Sequence, residues 1–155
     1  MITVLKFWRT AHSYSGLIRM ATCRKSLRSL DYVSFHKLLG TGKGETFTPS
    51  DADPNVWGII AVLPDASLRS KFEQSKPIRS FDEVAIQKTT IEMSTINSIG
   101  NWSGVQPFGA STGNIQNTVP IAAITRARLN WKYARRFWRE TPPVTASLHN
   151  APGLI

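Results

Sequence analysis

The feature that most constrains the fold is a pair of apolar runs joined by a glycine-rich break. Val33-Ser34-Phe35-His36-Lys37-Leu38-Leu39 alternates as a half-buried strand does, then gives way to Gly40-Thr41-Gly42-Lys43-Gly44, with glycine at every second position. Glycine admits positive φ and close backbone approach, so such a run at a strand end marks a tight loop. A polar turn, Ser50-Asp51-Ala52-Asp53-Pro54, precedes a nearly continuous apolar strand over residues 56–63, which Pro64 stops. Two strands joined this way belong to one sheet. The loop is not a phosphate cradle, because GxxxxGK[ST] requires glycine where Glu45 stands, and GxGxxG fails at the same residue. By composition alone it reads as a plain hairpin connection.

The remaining pattern completes a unit around that hairpin. Residues 2–8 are β-branched and aromatic and predict a strand, followed by a turn over 12–15. Leu17, Met20, Ala21, Arg24, Leu27 and Leu30 recur at steps of three and four, which predicts a helix with one buried stripe. Asp65 is placed to cap a short helix over 66–73, which Lys76-Pro77 is expected to end, and residues 84–93 alternate as a fourth strand. Strand, helix, strand, strand, helix, strand is the split βαβ order of an α+β ferredoxin-like sheet with helices on one face.

Beyond it, residues 97–117 form a Gly/Ser/Asn-rich connector whose Trp102, Pro107 and Phe108 imply that it folds back on the body. A strand over 119–129 and a helix from Trp131 follow, with Trp131, Ala134, Phe137 and Trp138 on one side and Lys132, Arg135, Arg136 and Arg139 mostly on the other. Thr141-Pro142-Pro143 is expected to break that helix. The domain reading is therefore a unit over 1–96, the connector over 97–117, and a strand plus helix over 118–155 that open a second, incomplete repeat of a dimeric α/β-barrel-like fold. An uncovered edge and apolar face would make such a chain a homo-oligomer.

Nineteen basic and ten acidic residues give a net charge of +9, which suits nucleic acid, an anionic membrane surface or an acidic protein. No apolar run approaches the ~20 residues of a membrane span. The N-terminal segment lacks the order of a signal peptide, and the one cysteine, Cys23, cannot form an internal disulfide, so the expected compartment is cytoplasmic.

Several blocks resemble the spheroidene monooxygenase family in order and over nearly the whole chain. They are Phe35 to Pro49 with the strand after it, Asn101-Trp102-Ser103-Gly104 with Pro107-Phe108, Ala123-Ile124-Thr125-Arg126-Ala127, and Arg136-Phe137-Trp138-Arg139. The resemblance implies an oxygen-dependent, haem-containing monooxygenase that puts a keto group on an acyclic carotenoid and takes electrons from reduced ferredoxin. It also suggests contact with the membrane surface. Lys37, Gly40, Gly42, Gly44, Phe47, Thr48 and Arg126 match the family and become the candidates for holding an anionic cofactor, since cations and amides favour a propionate. Trp57, Trp102, Ser103 and Trp138 match as candidates for the polyene. His36, beside the loop, is the candidate iron ligand, at a position where the family commonly has an aromatic residue. The acidic partner would be a ferredoxin-type donor on the basic cluster Arg126, Arg128, Lys132, Arg135, Arg136 and Arg139.

Blander readings stand beside these: tryptophans are most often core, and a lone histidine on a strand is most often structural. No Ser-His-Asp order, CxxC pair or HExxH motif is present, which removes hydrolase and zinc readings. The rival class is a non-catalytic binding module: ferredoxin-like sheets bind single-stranded RNA through aromatics, but the strand core that does so is absent, which argues against nucleic acid. A pigment carrier without turnover is the third alternative.

Overall fold

The computed structural model describes residues 1–43, 48–109, 120–125 and 129–149, with side chains described as far as residue 142. Two compact units are distinguished, the first made of Met1–Gly40 and Pro54–Ile121 and the second of Thr41–Asp53 and Ala122–Ile155.

Four strands, β1 (Ile2–Thr10), β2 (Phe35–Gly42), β3 (Ala52–Leu63) and β4 (Ala85–Met93), form one sheet in the order β2-β3-β1-β4. β1 is central and antiparallel to both β3 and β4, with Leu5 opposite Ile60 on one side and Ile91 on the other. Helix α1 (Ser13–Arg28) connects β1 to β2, and α2 (Leu68–Glu73) and α3 (Lys76–Asp82) connect β3 to β4. This is the ferredoxin-like order expected from the sequence.

The core lies between the sheet and the helices. Val4 and Trp8 of β1, Ile59, Ala61 and Leu63 of β3, Met20, Cys23 and Leu27 of α1, and Phe72, Ile78 and Phe81 of α2 and α3 form one cluster. Alternation puts the odd residues of β3 and the even residues of β1 on this helix face. Trp8 stacks on Phe81 with centroids 4.6 Å apart.

Local readings are corrected at several points. The buried stripe of α1 is Gly16, Met20, Cys23 and Leu27, whereas Leu17 is 60% exposed, so the stripe is set one residue away from the expected start. Gly16 admits Trp57 of β3 where a larger residue could not sit. Pro77 does not terminate a helix; it begins α3, at a position where the missing N–H costs nothing, and is itself buried. The helix expected over 66–73 starts only at Leu68, so its N-cap is Ser67 rather than Asp65; Asp65 instead shapes the turn before it, its Oδ1 accepting from the Ser67 N–H at 2.8 Å.

Of the strand expected over 119–129, residues 120–125 form none, and 119 and 126–128 lie outside the described residues. Pro120 has no N–H to give a ladder, and no described strand pairs with this stretch. Asn130 accepts from the Lys132 N–H at 3.1 Å and opens a turn over Trp131–Tyr133, which leads into α4 (Ala134–His149). The helix runs through Pro142 and Pro143 instead of stopping there: their fixed φ is helical, at the cost of two backbone donors.

Candidate functional site

The loop motif is placed differently from its sequence reading. β2 continues to Gly42, so Gly40 and Gly42 are strand residues, and neither Gly40 nor Gly42 has positive φ. A Cβ on Gly40 would meet nothing within 4 Å. Neither backbone geometry nor packing among the described residues requires glycine at position 40. Gly44 and Phe47 lie outside the described residues, as does Arg126. In the second unit the Lys43 N–H donates to Asp51 O at 2.7 Å, and the Thr48 and Ser50 hydroxyls share a hydrogen bond of 2.7 Å.

The described part of the connector, as far as Gly109, folds back on the body. Phe35 of β2, Trp102 and Phe108 form a three-ring cluster with centroids 5.3 to 6.3 Å apart and edge-on geometry throughout. Phe35 is buried, the other two are half-buried, and the Lys37 ammonium stands 6.0 Å from the Phe35 ring. Leu38 packs into the helix-side core, so Phe35, three residues earlier, presents its ring to the opposite face. Trp102 is fixed by a two-residue turn: Ser103 (φ 55°) and Gly104 (φ 87°) are both left-handed, and Trp102 and Val105 exchange backbone hydrogen bonds of 2.7 and 3.3 Å. That is type I′ chemistry, in which glycine at the second central position relieves strain. Ser103 therefore serves the turn that aims Trp102.

Trp57 is not part of this cluster. It belongs to the helix face, with its indole Nε1 directed at Gly16 and buried with no hydrogen-bond partner among the described residues. The structure thus brings Lys37, Phe35, Trp102 and Phe108 together and sends Trp57 to the other side of the sheet. Trp138 lies in the second unit, where its ring meets Trp131 edge-on at 6.3 Å.

Burial, then the charges of Lys37 and Arg28, hold the His36 imidazole below the usual histidine range. It is neutral near pH 7 and has a lone pair to offer. His12, by contrast, stacks on Tyr14 at the surface, and Cys23 is buried with its Sγ 3.9 Å from Pro77 O. Among the described residues no group of three or more His, Cys, Asp or Glu converges on one point. On the open face of the sheet a hollow of about 170 Å³ is lined by Phe7, Arg9, Val56, Gln87 and Thr89. That is below the roughly 300–1,000 Å³ of cofactor pockets and offers no iron ligand. His36 suits a metal chemically, but the described residues do not enclose a macrocycle around it.

A polar cluster on the helix face escaped the sequence reading. Lys6, 3% exposed, points inward from β1 and bonds Glu73 of α2 and, at 3.1 Å, Asp82 of α3. Trp8 Nε1 donates to Asp82 at 2.6 Å. The signal was available: Ile2, Val4, Lys6 and Trp8 share one face of β1, and a lysine among core residues demands carboxylates. No spacing rule says which carboxylates, because Glu73 and Asp82 arrive through the tertiary fold.

Fold and site together define the class: a ferredoxin-like α+β protein with an aromatic cluster beside a glycine-bearing strand. The crystal structure of an antibiotic biosynthesis monooxygenase has 12% identity, covering 63% of this chain and all of that one, with a TM-score of 0.47. SnoaB, a cofactor-independent oxygenase from Streptomyces nogalater, has 11% identity over 64% of this chain and 97% of its own, also at 0.47. These are likenesses of fold. No protein-family model matches the chain.

The sequence goes further. It is 31% identical over 130 residues to a spheroidene monooxygenase from Cereibacter sphaeroides, covering 82% of this chain and 39% of that protein. It is 28% identical over 158 residues to the one from Rhodobacter capsulatus, covering 99% of this chain and 64% of that protein. By sequence the chain is similar to spheroidene monooxygenases along most of its own length, and it spans less than two thirds of the length of both relatives.

Proposed function

We propose that the chain takes part in the oxygen-dependent introduction of a keto group into an acyclic carotenoid. The match to two spheroidene monooxygenases over 82% and 99% of the chain carries this reading. The Phe35, Trp102 and Phe108 rings offer an apolar platform suited to a polyene. Lys37 is the described cation of the first unit proposed to hold an anionic cofactor group. Haem is the cofactor the resemblance implies. His36 is the described side chain whose chemistry suits the iron, which would supply activation of dioxygen.

The electron donor proposed is an acidic ferredoxin. Lys132 and Trp131 (77% exposed) in the turn before α4, and Arg135, Arg136 and Arg139 on its first turns, are exposed, with Glu140 the acidic residue paired to Arg136 and Arg139 among them. An ordered basic surface of this kind steers an acidic partner and loses its effect as salt rises.

The test is incubation of the purified protein with spheroidene, haem, dioxygen and reduced ferredoxin. A ketocarotenoid, identified by mass and by its red-shifted absorption, is expected, together with a Soret band on haem addition. Absence of both, with salt-sensitive binding of single-stranded RNA instead, would replace this reading with the binding-module alternative.

A further inference from the structure

We propose that β4 is the dimerisation edge of this protein, pairing antiparallel with β4 of a second copy about a two-fold axis at Thr90. β4 is an outer strand of the sheet and is open on both faces: every residue from Ile86 to Glu92 is exposed, with Ile86 at 67%. Natural sheets blunt such edges by shortness, proline, bulges or charged side chains, and of these β4 has only the charges Lys88 and Glu92, which repel or attract a partner according to register. β4 is nine residues long and contains no proline, and its irregular register lies at its start, where Ala85 meets Thr10.

Charge selects the partner and the register. β4 carries one cation and one anion, Lys88 and Glu92, four residues apart and hence on one face. With the axis at Thr90, Lys88 of each copy stands opposite Glu92 of the other, Thr89 opposite Ile91, and Gln87 opposite Met93. An axis on Lys88 or on Glu92 sets like charges face to face, which is unfavourable. An axis on Thr89 or Ile91 leaves both charges opposite uncharged residues. Glu92 already receives Arg69 within its own chain, so Lys88 of the second copy would complete an alternating line, Lys–Glu–Arg, at each end of the contact. A different protein would match this pattern only by accident, whereas a second copy matches it by symmetry.

The test reads geometry and needs no turnover, so it stands or falls separately from the proposed activity. Cys23 is buried, which leaves an introduced cysteine as the reactive one. In the Thr90→Cys variant the two side chains meet across the axis at about 5 Å, and mild oxidation should give a covalent dimer. Lys88→Cys alone should not cross-link, its copies being about 13 Å apart along the strands. Mixed with Glu92→Cys, it should give only the mixed dimer. Sedimentation should show the dimer of the unmodified protein weakened at least tenfold by Lys88→Glu and restored by adding Glu92→Lys. A monomer at all concentrations, or cross-linking of Lys88→Cys to itself in preference to Thr90→Cys, would overturn the proposal.

Discussion

Replacing Gly16 by alanine tests the central packing claim, because local and tertiary physics predict opposite signs. In a helix interior alanine is favoured over glycine by about 1 kcal/mol, so on propensity alone Gly16→Ala should stabilise α1. The structure reverses this. A Cβ at Gly16 would stand 2.0 Å from Trp57 Nε1 and 2.2 Å from its Cδ1. The obstacle is a rigid indole on β3, whose strand is locked to β1 with Trp57 opposite Trp8, so it cannot swing aside as a flexible chain end would. Overpacking of this kind costs typically 1–3 kcal/mol, and the depth of the overlap places it at the upper end. The net expectation is a loss of about 2 kcal/mol, or roughly 4–10 °C in Tm for a unit of this size. Urea and thermal unfolding followed by far-ultraviolet circular dichroism would measure it. In a Trp57→Leu background the obstacle is gone, and the same substitution should become neutral or favourable. Gly16→Ala proving as stable as the parent, or costing the same in both backgrounds, would refute the reasoning.

Lys6→Met leaves Glu73 and Asp82 without their shared cation and should cost about 3 kcal/mol in urea unfolding, since removing one partner strands the others. His36→Gln should flatten stability against pH on the acid side. The folded imidazole titrates below its ordinary 6.5, so the unfolded chain binds the extra proton first, and stability falls as pH drops from about 6.5 through the lower folded value. Gly40→Ala should leave Tm unchanged or slightly raised, its Cβ meeting open space, yet lower carotenoid turnover at least severalfold; unchanged turnover would remove Gly40 from the site.

The sheet was legible because alternation is a local signal: β1, β3 and β4 fall within two or three residues of their expected places, except where β3 begins earlier, at Ala52. What local pattern could not reveal was the partner of each side chain. Trp57 and Trp102 looked equivalent as large rings near one motif, and only strand parity separates them, Trp57 sharing its face with Ile59 and Ala61 while Trp102 answers Phe35. The α1 stripe was misread for a related reason. Periodicity counted Leu17 as apolar and passed over Gly16, whereas the surface that Trp57 needs is one with no side chain at all. Proline misleads a local reading in the same way: Pro77 begins α3 and Pro142 is carried within α4, because a proline ends a helix only where its missing donor and its ring are resisted by what precedes it.

These misreadings bear directly on where chemistry can occur. With Trp57 committed to the helix face, the candidate polyene surface rests on Phe35, Trp102 and Phe108, and its aim depends on a two-residue turn more than on any apolar contact. Gly104, at φ 87°, is the residue that turn can least replace; a substitution there strains the backbone by about 1–3 kcal/mol and releases Trp102 while leaving the helix-side core intact. Gly104→Val should therefore leave the urea midpoint of the sheet nearly unchanged, because Val4, Trp8 and Ile59 hold it, yet shift Trp102 fluorescence toward the solvent-exposed red in a background where the other tryptophans serve as reference. Carotenoid binding, followed by quenching of that fluorescence, should weaken in parallel. If binding survives while Trp102 moves, the three rings are packing alone, and the platform must be sought on another face of the sheet.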